Sequence, residues 1–188
     1  MKKILITYAL EEEKGKIQIP NYAVSFCCTG IGKVSTAIHV YKAVLKEKPD
    51  LVINIGSGGS LNWKIGDILI CPSFIDRDLA KISFLGVTCL LDFKAELKAA
   101  GFLEKHELNT TVSTGDTFQT SENESGTDGD VFDMEAYAGA QVCKEFGIPY
   151  ISIKYVTDII GQNSIKHWED KLLEAREKLA EFIRMLRI

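Results

Sequence analysis

The strongest constraint on the fold is the alternation of short apolar runs with longer helical patterns along the chain. The runs are rich in β-branched residues, and continuous apolar runs of this kind are typical of strands that are buried on both faces of a sheet. They predict strands at Lys3–Ala9, Tyr22–Cys28, Leu51–Ile55, Asp67–Cys71 and Tyr150–Val156.

Three helical patterns separate or follow these runs. The first recurs over Val34–Leu45 and ends at Lys48-Pro49, and the second covers Ala136–Cys143 and is stopped by Gly147. The third is a long amphipathic C-terminal helix whose apolar side carries Trp168, Leu172, Ala175, Leu179, Phe182 and Leu186. The alternation predicts one α/β domain over residues 1–188 with a largely parallel or mixed sheet. The polar stretch Ser121–Asp130 predicts an exposed loop.

Composition excludes several classes of function. The 188 residues carry a net charge of -4 and 26% charged residues, and the absence of a Lys/Arg cluster argues against a nucleic-acid partner. No window reaches the ~18 apolar residues that a membrane span needs, and Glu11–Glu13 follow the N-terminal run too soon for a signal peptide. Five cysteines without CxxC spacing are expected to be reduced in a cytoplasmic protein. His39, His106 and His167 lack ligand spacing, so neither a metal nor another cofactor is expected.

Glycines and carboxylates mark a candidate site. Thr29–Lys33 follows a strand and opens the first helix, and Gly56–Gly59 follows the strand Leu51–Ile55. In open α/β sheets ligands bind at the carboxyl ends of strands, where glycines let backbone N–H groups approach the ligand. Each segment alone is more typical of a tight turn. Together with Glu135 at a helix start and Asp158 at a strand end, they favour a site that holds a sugar and protonates a leaving group.

Each candidate residue also has a structural interpretation. Glu11–Glu13 is typical of a solvated turn, Glu135 suits the first turn of a helix, and Asp158 can cap the segment after its strand. Phe118 is more often a core residue than a platform for a base. Lys154 lies on an apolar strand and needs a partner if it is buried, for which Glu135 or Glu13 is expected.

Six short motifs occur in the order seen in the nucleoside phosphorylase superfamily, and the chain most resembles its branch of 5'-methylthioadenosine/S-adenosylhomocysteine nucleosidases. The motifs are Ala9–Glu13, Gly30–Val34, Ile53–Gly59 with Gly66-Asp67, Thr114–Phe118, Asp133–Ala136 and Val156–Asp158. The resemblance implies a single-domain three-layer α/β/α sandwich around a twisted mixed β-sheet. It also implies a small-molecule nucleoside substrate and a homodimer that acts in methionine salvage.

On the purine side of the site, the resemblance assigns four residues. Asp158 matches the general acid that protonates or hydrogen-bonds the purine at N7, a task that requires a partly desolvated pocket. Thr157 matches a hydroxyl residue that assists this proton position. Phe118 matches the aromatic residue under the purine, and Gln119 lies beside the base edge.

On the ribose and water side, the resemblance assigns five residues. Glu13 matches the base for the attacking water, and Ser57 lines the water side. Glu135 and Met134 match the residues that hold the ribose hydroxyls, since a carboxylate can accept hydrogen bonds from two vicinal OH groups. Lys154 stands where the family usually has an arginine, so it keeps the charge but not the planar fork.

The expected nucleophile is water rather than phosphate. Phosphorylases of the superfamily clamp phosphate with arginines near the N-terminal strand and before the Gly-Ser segment. Here Glu11–Glu13 and Asn54 occupy those places, and three carboxylates would repel phosphate. The chain is therefore expected to release adenine from methylthioadenosine or adenosylhomocysteine by hydrolysis. The alternatives are a hydrolase of another purine nucleoside, a nucleoside-binding protein without turnover, and a phosphorylase.

Three departures from the family bear on specificity. Tyr8 replaces a glycine, and its bulk is expected to narrow the water side of the site. Gln119 replaces an apolar residue beside the purine. The stretch Phe74–Asn109 is shorter than in relatives, where it helps to form the pocket for the 5' substituent together with residues of a partner subunit.

Overall fold

The computed structural model describes residues 1–102, 108–119, 128–162 and 164–186. Residues 121–127 of the loop predicted at Ser121–Asp130, and also His106, lie outside these described residues. Within them the chain forms an α/β sandwich around a mixed sheet, which confirms the predicted fold class.

The strands of the described chain form one mixed sheet. They are β1 (Lys3–Tyr8), β2 (Ala23–Cys28), β3 (Leu51–Ser60), β4 (Ile68–Cys71), β5 (Ser73–Asp76), β6 (Leu90–Asp92), β7 (Thr111–Thr114), β8 (Val131–Asp133) and β9 (Tyr150–Ile159). β1 lies parallel to β2 and β3, β9 lies parallel to β3, and β7 lies parallel to β5 and β8. The antiparallel pairs are β3 with β8, β4 with β9, and β5 with β6.

The segment Gly56–Gly59, expected as a loop, is instead the second half of β3. Its glycines allow neighbouring groups to come very close to the strand. A Cβ atom on Gly58 would lie 2.5 Å from the side chain of Val131, and one on Gly59 would lie 2.7 Å from Oδ2 of Asp158. The parallel strands β1, β3 and β9 therefore end at one edge of the sheet with little bulk between them.

The α-helices of the described residues are α1 (Lys33–Glu47), α2 (Arg77–Ala80), α3 (Lys94–Ala99), α4 (Ala136–Phe146) and α5 (Ser164–Met185). The three predicted helices correspond to α1, α4 and α5. α1 ends at Lys48, which has a φ of 49° and precedes Pro49, and α4 ends at Gly147, which has a φ of 65°. α1 and α4 pack on each other, and α5 packs on β3 and β9. None of the described helices is long and apolar enough to cross a lipid bilayer.

The apolar pattern of α1 is divided between the core and the surface. Val40 and Val44 are buried. Four other apolar side chains form an exposed stripe on this helix, called here the α1 face: Val34, Ile38, Tyr41 and Leu45. The apolar periodicity therefore predicted the helix correctly, but only part of the pattern contributes to the core.

Candidate active site

A cavity of about 370 Å³ lies where β3 and β9 end. Its walls come from the loop after β1, the ends of β3, β8 and β9, the loop after β7, and α5. The lining residues are Ala9, Leu10, Glu13, Ile31, Ser57, Gly58, Gly59, Arg77, Thr117, Phe118, Gln119, Phe132, Asp133, Met134, Glu135, Asp158, Ile160 and Trp168. Seven of the nine residues assigned from the sequence are among them. The other two, Lys154 and Thr157, are buried and contact lining residues.

Asp158 is almost completely buried on β9. The hydroxyl of Thr157 donates a hydrogen bond to its Oδ1 at 2.8 Å. Gly59 pairs with Asp158 across the two strands, and the carboxyl group occupies the space that a Cβ on Gly59 would need. Because β9 continues to Ile159, Asp158 is a residue of the strand rather than a cap of the next segment.

Glu13 is buried at the end of a short 3-10 helix, Glu11–Glu13. Its Oε1 accepts hydrogen bonds from the backbone N–H of Ser57 at 3.1 Å and from the Ser57 hydroxyl at 3.2 Å. Its Oε2 accepts from the N–H groups of Ala9 and Leu10 at 3.0 and 3.2 Å. Glu11 and Glu12 are exposed, so the prediction of a solvated turn is correct for those two residues but not for Glu13.

Glu135 lies at the N-cap position of α4, but its side chain does not form a cap hydrogen bond to that helix. The N–H of Ala136 is bound instead by Oδ2 of Asp133 at 2.9 Å. Oε1 of Glu135 accepts from the N–H of Gly32 at 2.8 Å, at the start of α1. Burial, together with the nearby charge of Asp133, raises the pKa of Glu135 to about 7. Hydrogen bonds donated to this carboxylate would favour its ionised form and lower that pKa.

Lys154 is buried on β9 and pairs with Asp133, whose Oδ2 lies 2.8 Å from its Nζ. The expected ion pair with Glu135 or Glu13 was wrong. Burial opposes the charge of Lys154, but the charges of Asp133 and Glu135 outweigh it and hold its pKa above the ordinary value. Asp133 was missed as a site residue, although it opens the motif Asp133–Ala136.

Arg77 holds the loop that brings Phe118 and Gln119 to the cavity. Its buried guanidinium donates to the backbone carbonyls of Ser113, Gly115, Thr117 and Asp133. Sequence reasoning missed this role, because Arg77 follows the short strand β5, which was not predicted. The loop after β7 is thus fixed to the end of β8 by one side chain.

Two aromatic residues differ from expectation. Trp168, predicted on the apolar side of α5, lines the cavity and donates from Nε1 to the hydroxyl oxygen of Ser57 at 2.9 Å. Its ring contacts the Phe118 ring in an edge-on geometry, with centroids 6.4 Å apart. Tyr8 was expected to narrow the water side, but it lies outside the lining, and its hydroxyl donates to Glu11 at 3.3 Å.

Comparison with known proteins identifies the family. The family model of the phosphorylase superfamily matches residues 7–186. The chain belongs to the phosphorylase superfamily. A 5'-methylthioadenosine/S-adenosylhomocysteine nucleosidase of Buchnera aphidicola subsp. Acyrthosiphon pisum (strain Tuc7) is 31% identical over 179 residues, which cover 84% of this chain and 77% of the relative.

Solved structures of two nucleosidases share the fold of this chain. The S-adenosylhomocysteine nucleosidase of Streptococcus pyogenes, in complex with 5-methylthiotubericidin, superposes with a TM-score of 0.81 at 21% identity, covering 97% of this chain and 94% of that one. The nucleosidase of Colwellia psychrerythraea, in complex with adenine, gives a TM-score of 0.79 at 23% identity, covering 94% and 90%. The predicted nucleoside phosphorylase-like fold is confirmed by these matches.

Proposed function

We propose that this superfamily member is a purine-nucleoside N-ribosyl hydrolase that releases adenine from 5'-methylthioadenosine or S-adenosylhomocysteine. The observation that carries the proposal is the arrangement of Glu13, Glu135 and Asp158 around one cavity that also contains Phe118. The names of the curated relatives support the same substrate class. In this proposal each carboxylate has a separate task.

Asp158 is the proton donor to the base. Cleavage of the N-ribosidic bond gives the sugar cationic character, and adenine leaves poorly as an anion, so a proton or hydrogen bond at N7 lowers the barrier. The carboxyl group is buried in the cavity wall and oriented by the Thr157 hydroxyl. In the proposal Phe118 packs on the purine face, and Gln119 lies beside the base edge.

Glu135 holds the ribose, with Met134 beside it. One of its oxygens accepts from the N–H of Gly32, and a carboxylate has further acceptor positions for two vicinal ribose hydroxyls. Hydrogen bonds to the ionised form lower a pKa. Nucleoside binding should therefore lower the pKa of Glu135 from its value of about 7.

Glu13 accepts the proton of the attacking water. Its two oxygens are held by four hydrogen bonds from Ser57, Ala9 and Leu10, so the carboxylate has one orientation. A fixed base with remaining acceptor positions can orient a water molecule for attack at the sugar carbon. Lys154 stays behind this wall, paired with Asp133.

The charges of the cavity favour water over phosphate. The lining carries four carboxylates: Glu13, Asp133, Glu135 and Asp158. The guanidinium of Arg77, which also lines it, is occupied by backbone carbonyls. Asn54, at the expected place of a phosphate-binding arginine, is buried and bonded to Thr7 and Ser152 inside the sheet. Asp133 is paired with Lys154 and Asp158 is the proton donor, so the repulsion that a phosphate dianion would meet comes mainly from Glu13.

An assay of base release tests the proposal. The purified protein is incubated with methylthioadenosine, adenosylhomocysteine, adenosine and inosine, with and without phosphate, and free base is followed by chromatography. Adenine release from the first two, independent of phosphate, is the expected result. A strict phosphate requirement would identify a phosphorylase, and tight binding without base release would identify a binding protein. Asp158→Asn protein, purified in the same way, controls for contaminating host enzyme.

We further propose that the protein is a homodimer that pairs through the α1 face. The side chains of Val34, Ile38, Tyr41 and Leu45 are between 47% and 72% exposed, and contiguous apolar patches of this kind mark interaction surfaces. The ring of Phe146 extends the patch, 5.5 Å from that of Tyr41. Ile31, just before α1, lines the cavity and is half exposed, so a second copy on this face would lie close to the site.

Light scattering coupled to size-exclusion chromatography tests this interface. Ile38→Asp should convert a dimer into a monomer, whereas the control Leu173→Asp, at an exposed apolar position of α5, should leave the mass unchanged. A monomeric wild type would refute the dimer. The match over residues 7–186 supports a single domain over residues 1–188. The five free cysteines are compatible with the proposed cytoplasmic location, and the proposed role in methionine salvage follows from the proposed substrates.

A further inference from the structure

Trp168 joins α5 to the water side of the cavity through a chain of hydrogen bonds. Its indole N–H donates to Oγ of Ser57 at 2.9 Å, and that hydroxyl lies 3.2 Å from Oε1 of Glu13. The same indole ring forms part of the cavity lining and contacts Phe118 edge-on. One side chain of the C-terminal helix therefore touches both the purine side and the water side.

The direction of these hydrogen bonds follows from the donor and acceptor groups that form them. An indole N–H can only donate, and an ionised carboxylate can only accept. The Ser57 hydroxyl has one hydrogen, so when its oxygen accepts from Trp168 the hydrogen remains available for Glu13. Hydrogen bonds in such a series strengthen one another. The indole thus favours the one arrangement of the hydroxyl in which Ser57 donates to Glu13.

We propose that Trp168 is a positioning residue for Glu13, acting through Ser57; this inference rests on the proposed hydrolase function. Oε2 of Glu13 is held by backbone N–H groups of its own loop. Oε1 is held by Ser57, whose hydroxyl is in turn held by α5. Packing of α5 over the cavity therefore fixes the hydroxyl of Ser57, one of the four donors that orient the water-activating carboxylate.

A double-mutant cycle tests the inference, because a residue that acts through another has no effect once that other is removed. Trp168→Phe keeps an aromatic ring in the cavity wall but removes the N–H, and Ser57→Ala removes the hydroxyl. Trp168→Phe is expected to lower kcat for base release by about threefold to tenfold, the usual effect of one hydrogen bond, with KM nearly unchanged. In the Ser57→Ala background the same substitution should lower kcat no further.

Fully additive losses of kcat in the two variants would overturn the inference, as would an effect of Trp168→Phe confined to KM. The latter result would show that the ring only shapes the cavity. If the wild type releases no base, the proposed function itself fails, which is a different outcome from an additive cycle in an active enzyme.

Nitrogen-15 NMR of the indole groups tests the contact without turnover. The chain has two tryptophans, and the second, Trp63, donates to Asp130 at 3.0 Å and serves as an internal control. Ser57→Ala should shift the Trp168 indole resonance and leave that of Trp63 in place. An unchanged Trp168 resonance would overturn the inference whatever the kinetics show.

Discussion

Replacing Glu135 with glutamine is expected to stabilise the folded protein while weakening nucleoside binding. Glu135 is 8% exposed, and burial beside Asp133 raises its pKa from 4.5 to about 7. The folded state therefore holds this proton more tightly than the unfolded chain does. The stability that the protonated group contributes is fully present below about pH 4.5 and is lost as the pH rises through 7. At about 1.4 kcal/mol for each pKa unit, the loss is about 3 kcal/mol.

Glutamine has no charge to bury, and its amide oxygen can still accept from the N–H of Gly32. The free energy of unfolding of Glu135→Gln, relative to wild type, should therefore grow by about 2 to 3 kcal/mol between about pH 5 and pH 8. Urea unfolding followed by circular dichroism at both pH values measures this difference. The control Glu145→Gln, at an exposed position, should follow wild type. A difference for Glu135→Gln that does not change with pH would show that the Glu135 carboxyl group has the same pKa in the folded and unfolded states.

Three further substitutions test other parts of the site. Asp158→Asn should slow base release by about 100-fold or more without a change in the urea midpoint, and near-normal kcat would contradict the acid role. Lys154→Met leaves Asp133 as a buried charge without its partner and should lower the free energy of unfolding by about 3–5 kcal/mol. Lys154→Arg keeps the charge and should lower the free energy of unfolding by less. Equal losses for the two variants in urea unfolding would argue against the ion pair. Arg77→Met releases the loop that carries Phe118, so steady-state kinetics should show a larger rise in KM than fall in kcat; a loss in kcat alone would contradict this role.

The strands at the centre of the sheet could be predicted because each of them contains a long apolar run. β1, β3 and β9 begin as continuous β-branched runs, and the helices around them have clear periodicity and clear stops at Lys48 and Gly147. The strands from β5 to β8 are only three or four residues long. Segments of that length have no measurable period, and they are strands because of the neighbours with which they pair.

The residues of the candidate site could be predicted where they belong to a family motif. Neither spacing nor periodicity gave a reason to join Glu13 to Glu135 and Asp158, which lie more than a hundred residues later; the order of the motifs did. The structure brings the three together in one cavity. Contacts that depend on tertiary packing were missed or misassigned, as with the partner of Lys154 and the place of Trp168.

Attack of water on the sugar can be measured with oxygen-18-labelled water. Wild-type protein and methylthioadenosine are mixed in labelled water without phosphate, and the sugar product is analysed by mass spectrometry at early times. Unlabelled product incubated in the same water measures exchange. The expected products are free adenine and a sugar that carries one labelled oxygen from the first turnover. A sugar with no label beyond exchange, or product formed only with phosphate and as a sugar phosphate, would contradict attack by water.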